Sequence, residues 1–186
     1  GKDINISNFE LATNTQSIKV NGKYSKTSED PLTVVLRNIE LSQINNFFSD
    51  FQYNIGGYLD GKVELSKFNQ KIPNLFANIN LNDLSFNGKR IGNIEFTSKW
   101  DTIKKGIKTD LVLTDVGAQG IRMPLIANGY IYPTGANNID LNIDFSNFNL
   151  SFIEPMMSEY VSNIGGFAQG NINVYGSFSA PQMKGE

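Results

Sequence analysis

The chain has 186 residues and a mass of 20.6 kDa, long enough to bury a sizeable core in one or two domains. Hydrophobic residues make up 40% and charged residues only 18%, so Asn, Ser and Thr take many of the solvent-facing positions. A net charge of −2 without any lysine or arginine run argues against a nucleic-acid partner, and the lack of both cysteine and histidine excludes disulfides, thiol chemistry, Ser–His catalysis and thiolate or imidazole metal sites.

From the N-terminus, Ile4, Ile6, Phe9, Leu11, Ile18 and Val20 alternate loosely, the signal of two half-buried strands joined by a turn at Asn14-Thr15-Gln16. Asp30-Pro31 closes the next turn, and Leu32-Thr33-Val34-Val35-Leu36 begins a clear strand. At Leu41 the period changes. Leu41, Ile44, Phe47, Phe48 and Phe51 form one helical stripe, predicting a short helix near 42–51 with Ser42 as cap. Gly56-Gly57 then reads as its left-handed stop.

The middle of the chain reads as strand throughout. Val63 and Leu65 alternate with Lys62 and Glu64, and Ala77, Ile79 and Leu81 alternate with Asn78, Asn80 and Asn82. Asn87-Gly88 between Phe86 and Ile91 is a strong hairpin signal. Ile94, Phe96, Ser98 and Trp100 share a face; Lys104-Lys105-Gly106 turns the chain into Ile107, Leu111 and Leu113. Residues 115–120 read as a looser connection. Gly129 reads as a glycine inside a long strand, with the turn at Pro133-Thr134-Gly135. Ile139, Leu141, Ile143 and Phe145 alternate with Asp140, Asn142 and Asp144. A second short helix is predicted near 151–160, signed by capping-box spacing of Ser151 and Glu154 and stopped at Gly165-Gly166.

The second half repeats the first. Asn54-Ile55-Gly56-Gly57 recurs as Asn163-Ile164-Gly165-Gly166, an offset of 163 − 54 = 109 residues. At the same offset Leu32, Val34, Leu36, Ile39 and Leu41 map onto Leu141, Ile143, Phe145, Phe148 and Leu150. The copies span approximately 18–75 and 125–186. No low-complexity linker separates them, which predicts one continuous all-β unit over 1–186. Gly1 reads as a tag-cleavage scar, and the ending at Gln182-Met183-Lys184-Gly185-Glu186, where another strand is due, reads as an excised fragment. No apolar run is long enough for a membrane span.

Reacting groups are missing from this pattern. Asp140/Asp144 and Glu64/Glu95 lie on polar strand faces; Asp60-Gly61 and Asp83 lack the oxygen spacing of a calcium loop. The glycine-rich 56–61 follows a helix and precedes a strand, the reverse of a phosphate cradle. No catalytic residue, metal or cofactor is therefore assigned, and the expectation is a protein that is not an enzyme. What remains is one alternating apolar set: Leu36, Val63, Leu65, Ile79, Leu81, Phe96, Leu111, Leu113, Ile143, Phe145, Ile172 and Val174. Either these pack on a second sheet, as in a β-sandwich, or they line one mainly antiparallel sheet curled into a U-shaped groove.

The run Asn163-Ile164-Gly165-Gly166 to Gly170-Asn171-Ile172-Asn173-Val174-Tyr175-Gly176, continuing through Pro181-Gln182-Met183-Lys184-Gly185, resembles the TamB/AsmA-like family of envelope proteins. Its pattern is a glycine-bounded alternating strand followed by a short Pro-containing one. Gly61 to Leu65 and Pro73-Asn74-Leu75 keep part of it, with Lys67 and Ala77 in the glycine places; Leu84 to Phe96, ending at Trp100, resembles the family's hairpin. The resemblance implies a section of a "β-taco", a periplasmic groove belonging to an inner-membrane-anchored subunit of the translocation and assembly module. It implies groove-lining contacts to phospholipid or other acyl chains, carried between inner and outer membrane. It also implies support of outer-membrane protein assembly, with an Omp85-type barrel protein as partner through another part of the full-length chain. A non-catalytic scaffold pairing client β-strands at its edge, or an adhesive surface β-domain, are the alternatives the residues leave open.

Overall fold

A computed structural model describes residues 3–43, 54–70, 73–117, 120–154 and 163–185. The strands are β1 Ile4–Ala12, β2 Ser17–Tyr24, β3 Leu32–Glu40, β4 Ile55–Ser66, β5 Asn74–Phe86, β6 Lys89–Asp101, β7 Gly106–Gly117, β8 Gly120–Ile131, β9 Ile139–Asn149, β10 Phe167–Ser177 and β11 Ala180–Gly185. They form one 11-stranded sheet in simple sequence order, each strand antiparallel to its neighbours. β1 and β11 are its two edges, and they do not pair with each other, so the sheet is not closed. Among the described residues there is no second sheet, which removes the sandwich.

Local chemistry explains most of the turns. Asn87 and Gly88 both have positive φ (49° and 77°), as a two-residue hairpin with the favoured twist requires. Gly129 lies inside β8, paired with Thr109 and Leu141, and the chain turns beyond it. There Tyr132 N–H donates to Asn138 O at 2.8 Å and Asn138 Nδ2 donates back to Tyr132 O at 2.8 Å. The final segment, expected to break off before a new strand, is itself β11.

The helix expectations fare differently. Residues 41–43 form a single 3-10 turn, and 44–51 lie outside the described residues. Leu150–Phe152 forms the matching turn, with 155–160 outside the described residues. Its cap is Asn149, whose side chain accepts from the Ser151 N–H at 3.0 Å, so Ser151 sits inside the turn and is not the cap. Ser42 instead donates its hydroxyl to Glu40 at 2.7 Å. Gly56 and Gly57, expected to stop a helix, are residues of β4. Gly57 (φ 117°) marks a register shift against β5, a bulge and not a helix end. Gly165 and Gly166 lie just before β10, and the Gly166 carbonyl accepts from Leu150 N–H at 3.0 Å.

Four odd-numbered strands share a device that the alternation conceals. Ile6-Ser7-Asn8-Phe9, Leu36-Arg37-Asn38-Ile39, Leu81-Asn82-Asp83-Leu84 and Phe145-Ser146-Asn147-Phe148 each hold a left-handed Asn or Asp, with φ of 53°, 50°, 51° and 56°. The ladder slips at the first three against the next strand, and β9 and β10 slip between Ala168 and Gly170, beside Asn147. Asn and Asp tolerate this conformation better than other residues with a side chain. In three cases the next strand supplies the missing acceptor. Asn8 N–H donates to Asn21 Oδ1 (3.3 Å), Asn38 N–H to Asp60 Oδ1 (2.9 Å) and Asp83 N–H to Asn93 Oδ1 (2.8 Å). Asn38 and Asn147 are 147 − 38 = 109 residues apart, so bulge and following 3-10 turn recur at the period of the sequence repeat.

The surface area is that of an extended sheet. The chain exposes 12049 Å², whereas a compact monomer of this mass exposes roughly 8,900 Å². Few apolar side chains are fully covered; Leu41, Ala77, Phe86, Leu113 and Phe148 are the buried ones among the described residues.

Candidate functional site

Register turns the one-dimensional alternation into a two-dimensional surface. Directly paired residues of adjacent strands point to the same face. One rung runs Ile18–Leu36–Gly61–Ile79–Phe96–Leu111–Ala127–Ile143–Ile172, apolar across nine successive strands. A second, nearer the bulges, runs Ile39–Leu59–Leu81–Ile94–Leu113–Leu125–Phe145. On the other side of the first lies Val20–Val34–Val63–Ala77–Ser98–Thr109–Gly129–Leu141–Val174–Met183. Leu32–Leu65–Leu75 begins a fourth, taken up from Trp100 by Ile107, Ile131 and Ile139.

The bulges preserve this face. Leu36 pairs with Gly61 and Ile39 with Leu59, so a three-residue step on β3 matches a two-residue step on β4 and both apolar side chains stay together. The opposite face is polar: Asn78, Thr97, Asp110, Asn128, Asn142 and Asn173 make one of its rungs. There Asn173 Nδ2 donates to Asn142 at 3.1 Å, and Asn171 Nδ2 donates to Asp144 at 2.7 Å.

All the positions singled out in the sequence, from Leu36 to Val174, stand on the apolar face. Sequence reasoning left out Ile18, Val34, Leu59, Leu125 and Leu141, which alternate just as clearly. Most of the face is half-buried. Leu113 is buried, as are Ala77, Ser98 and Thr109, which with Gly129 make four adjacent strands small. Ser98 Oγ is buried without a hydrogen-bond partner. An unpaired buried hydroxyl costs about 1–3 kcal/mol, so Ser98→Ala is expected to hold or raise the melting temperature; a clear fall would mean that the hydroxyl has a partner.

A polar cluster lies at one end of the sheet. Asp101 Oδ1 accepts from the Lys104 and Ile103 N–H groups at 2.9 and 2.8 Å, and Asp101 Oδ2 accepts from Tyr130 Oη at 3.1 Å. The Lys104 N–H, with help from the other donors, holds the Asp101 carboxyl below its ordinary value of 3.8, while desolvation first and Asp101 second push Tyr130 above 10.0. Because its folded value is depressed, Asp101 contributes stability above pH 3.8 that is lost as the pH falls through the folded value. Asp101→Asn is expected to flatten the melting-temperature profile between about pH 5 and pH 2. An unchanged slope would refute this. The cluster fastens a hairpin. Among the described residues no group of three or more His, Cys, Asp or Glu is placed to hold a metal ion, and no helix is long and apolar enough to cross a membrane.

No family model, curated protein or solved structure matches the chain. Function is therefore read from the face itself.

Proposed function

We propose that the apolar face carries lipid acyl chains, as one section of a periplasmic groove bridging the inner and outer membranes. The observation that carries this is the apolar rung from Ile18 to Ile172, on a sheet with no second layer of strands over it among the described residues. A hydrocarbon chain needs contact and no specific polar ligand, and each methylene removed from water is worth about 0.8 kcal/mol. A wide exposed apolar surface marks a ligand groove or an interaction site.

Two features support a curled sheet. Bulges bend and twist strands, and they recur on β1, β3, β5 and β9. Small residues at Ala77, Ser98, Thr109 and Gly129 let the concave side fold tightly where larger side chains would collide. The motifs resembling TamB/AsmA-like proteins fit the same reading. In it the full-length protein is anchored in the inner membrane, reaches an Omp85-type barrel through another part of its chain, supports outer-membrane protein assembly, and is not an enzyme. A second reading has one favouring observation. Edge strand β1 leaves Ile4, Phe9 and Leu11 exposed, a template for pairing a client strand.

A photoactivatable fatty acid tests the main reading. Labelling is expected on peptides carrying Ile79, Phe96, Leu111 and Ile143, and competed by phospholipid. Labelling confined to β1, or spread over the polar face, would overturn it.

A further inference from the structure

We infer that the compartment between β9, β10 and the turn at Leu150–Ile153 is a seat for one acyl chain, bounded at the Phe148 end, and not merely part of an open track. This rests on the acyl-binding reading of the face. Among the described residues, this is where the chain after a strand turns back against the sheet. After β9 the chain makes the 3-10 turn Leu150–Phe152, fastened by Leu150 N–H to Gly166 O (3.0 Å) and Ile153 N–H to Leu150 O (3.1 Å). Glu154 then meets Lys89 of the β5–β6 hairpin at 3.5 Å. β9 and β6 are three strand spacings apart, about 14 Å along a flat sheet, so this ion pair ties the connection across the end of the apolar face.

Beside it is a cavity of about 570 Å³. Ile143, Phe145 and Ile172 form the floor from the rungs, and Phe148, Leu150 and Ile153 come from the connection side. Phe148 is buried and is held by Phe145 (centroids 5.5 Å) and Phe152 (5.9 Å), which makes that wall rigid. Phe167, 65% exposed, stands at the lip. No charged side chain lines the cavity, so a lipid's ionic end stays outside and only hydrocarbon enters. Capacity sets the number of chains. A cavity of about 150 Å³ takes one benzene ring, and on that scale this one takes about twenty carbons: one long acyl chain, not two.

Displacement of a bound fluorescent fatty acid by saturated fatty acids of about eight to twenty-two carbons tests this, with affinity expected to rise by up to about fourfold per methylene. The rise should level off near about twenty carbons, when the cavity is full. Ala168→Phe puts a ring into the cavity from β10 and should bring the levelling down by about six carbons; Ile153→Phe, placed on the turn and not in a strand, should do the same if the first variant folds poorly. A lysophospholipid and a fatty acid of equal chain length should bind alike, and a diacyl phospholipid no more than a few-fold tighter. A rise without levelling, levelling that neither variant moves, or a large diacyl preference would overturn the single-chain seat and leave the apolar face as a lipid surface. No displacement at any length would overturn both.

Discussion

Glutamate at Ile143 is expected to leave the sheet folded and to reduce binding of a fluorescent fatty acid at least tenfold. Ile143 stands on the apolar rung next to its β10 end, between Ala127 and Ile172, and is only half-buried. A carboxylate there reaches water on the open side, so the cost to stability should be roughly 1–3 kcal/mol, the range of an ordinary destabilising substitution. The same carboxylate lies where a hydrocarbon chain would lie, and desolvating it opposes every bound chain. Ile79→Glu, on the same rung, should behave alike. Leu113 makes the contrast, since it is 3% exposed on the neighbouring rung. Leu113→Glu buries an unpaired charge and should cost several kcal/mol, enough to unfold the chain. Circular dichroism with probe titration separates the cases. A folded Ile143→Glu protein that binds the probe like the parent would sink the lipid reading, and an unfolded one would show that the face is covered.

Alanine at Gly57 should be among the costliest single-methyl changes in the molecule. Gly57 has φ 117°, outside the left-handed region that Asn tolerates, and a Cβ would stand 2.7 Å from Asn82 O and 3.0 Å from Asp83 O. Those carbonyls belong to β5 and cannot retreat without opening the β4–β5 ladder at its bulge. Strain and collision together predict a loss of about 3 kcal/mol or more. Gly166, the repeat-equivalent position, has φ 96° but open space around its missing Cβ. Gly166→Ala should lose only about 1 kcal/mol, the conformational part alone. Equal losses in urea melts would mean that the two copies are packed alike there.

The strands and their inward residues were legible because a single sheet with one apolar face writes a period of two into its sequence. The Asn87-Gly88 hairpin and the glycine inside β8 follow from the same signals. The bulges were not read, although their signature is present as a slip of phase: Leu36 to Ile39, Leu81 to Leu84 and Phe145 to Phe148 step by three with Asn or Asp before the last. A search for a period of two alone does not separate those residues from ordinary polar-face positions. Gly56-Gly57 misled for a related reason. A helical stripe just before it made a helix stop the natural reading, yet positive φ serves a strand bulge equally well at Gly57. The cavity beside β9 and β10 could not be read at all, because it depends on where residues 150–154 fold back relative to β10 and the β5–β6 hairpin.

Native mass spectrometry of the chain purified from bacteria without detergent tests the central claim most directly. The apolar face is expected to arrive occupied, with part of the population carrying a phospholipid or fatty-acid mass that is lost in Ile143→Glu. A chain that flies only at its bare mass, and stays bare after incubation with phospholipid, would contradict a lipid-carrying face.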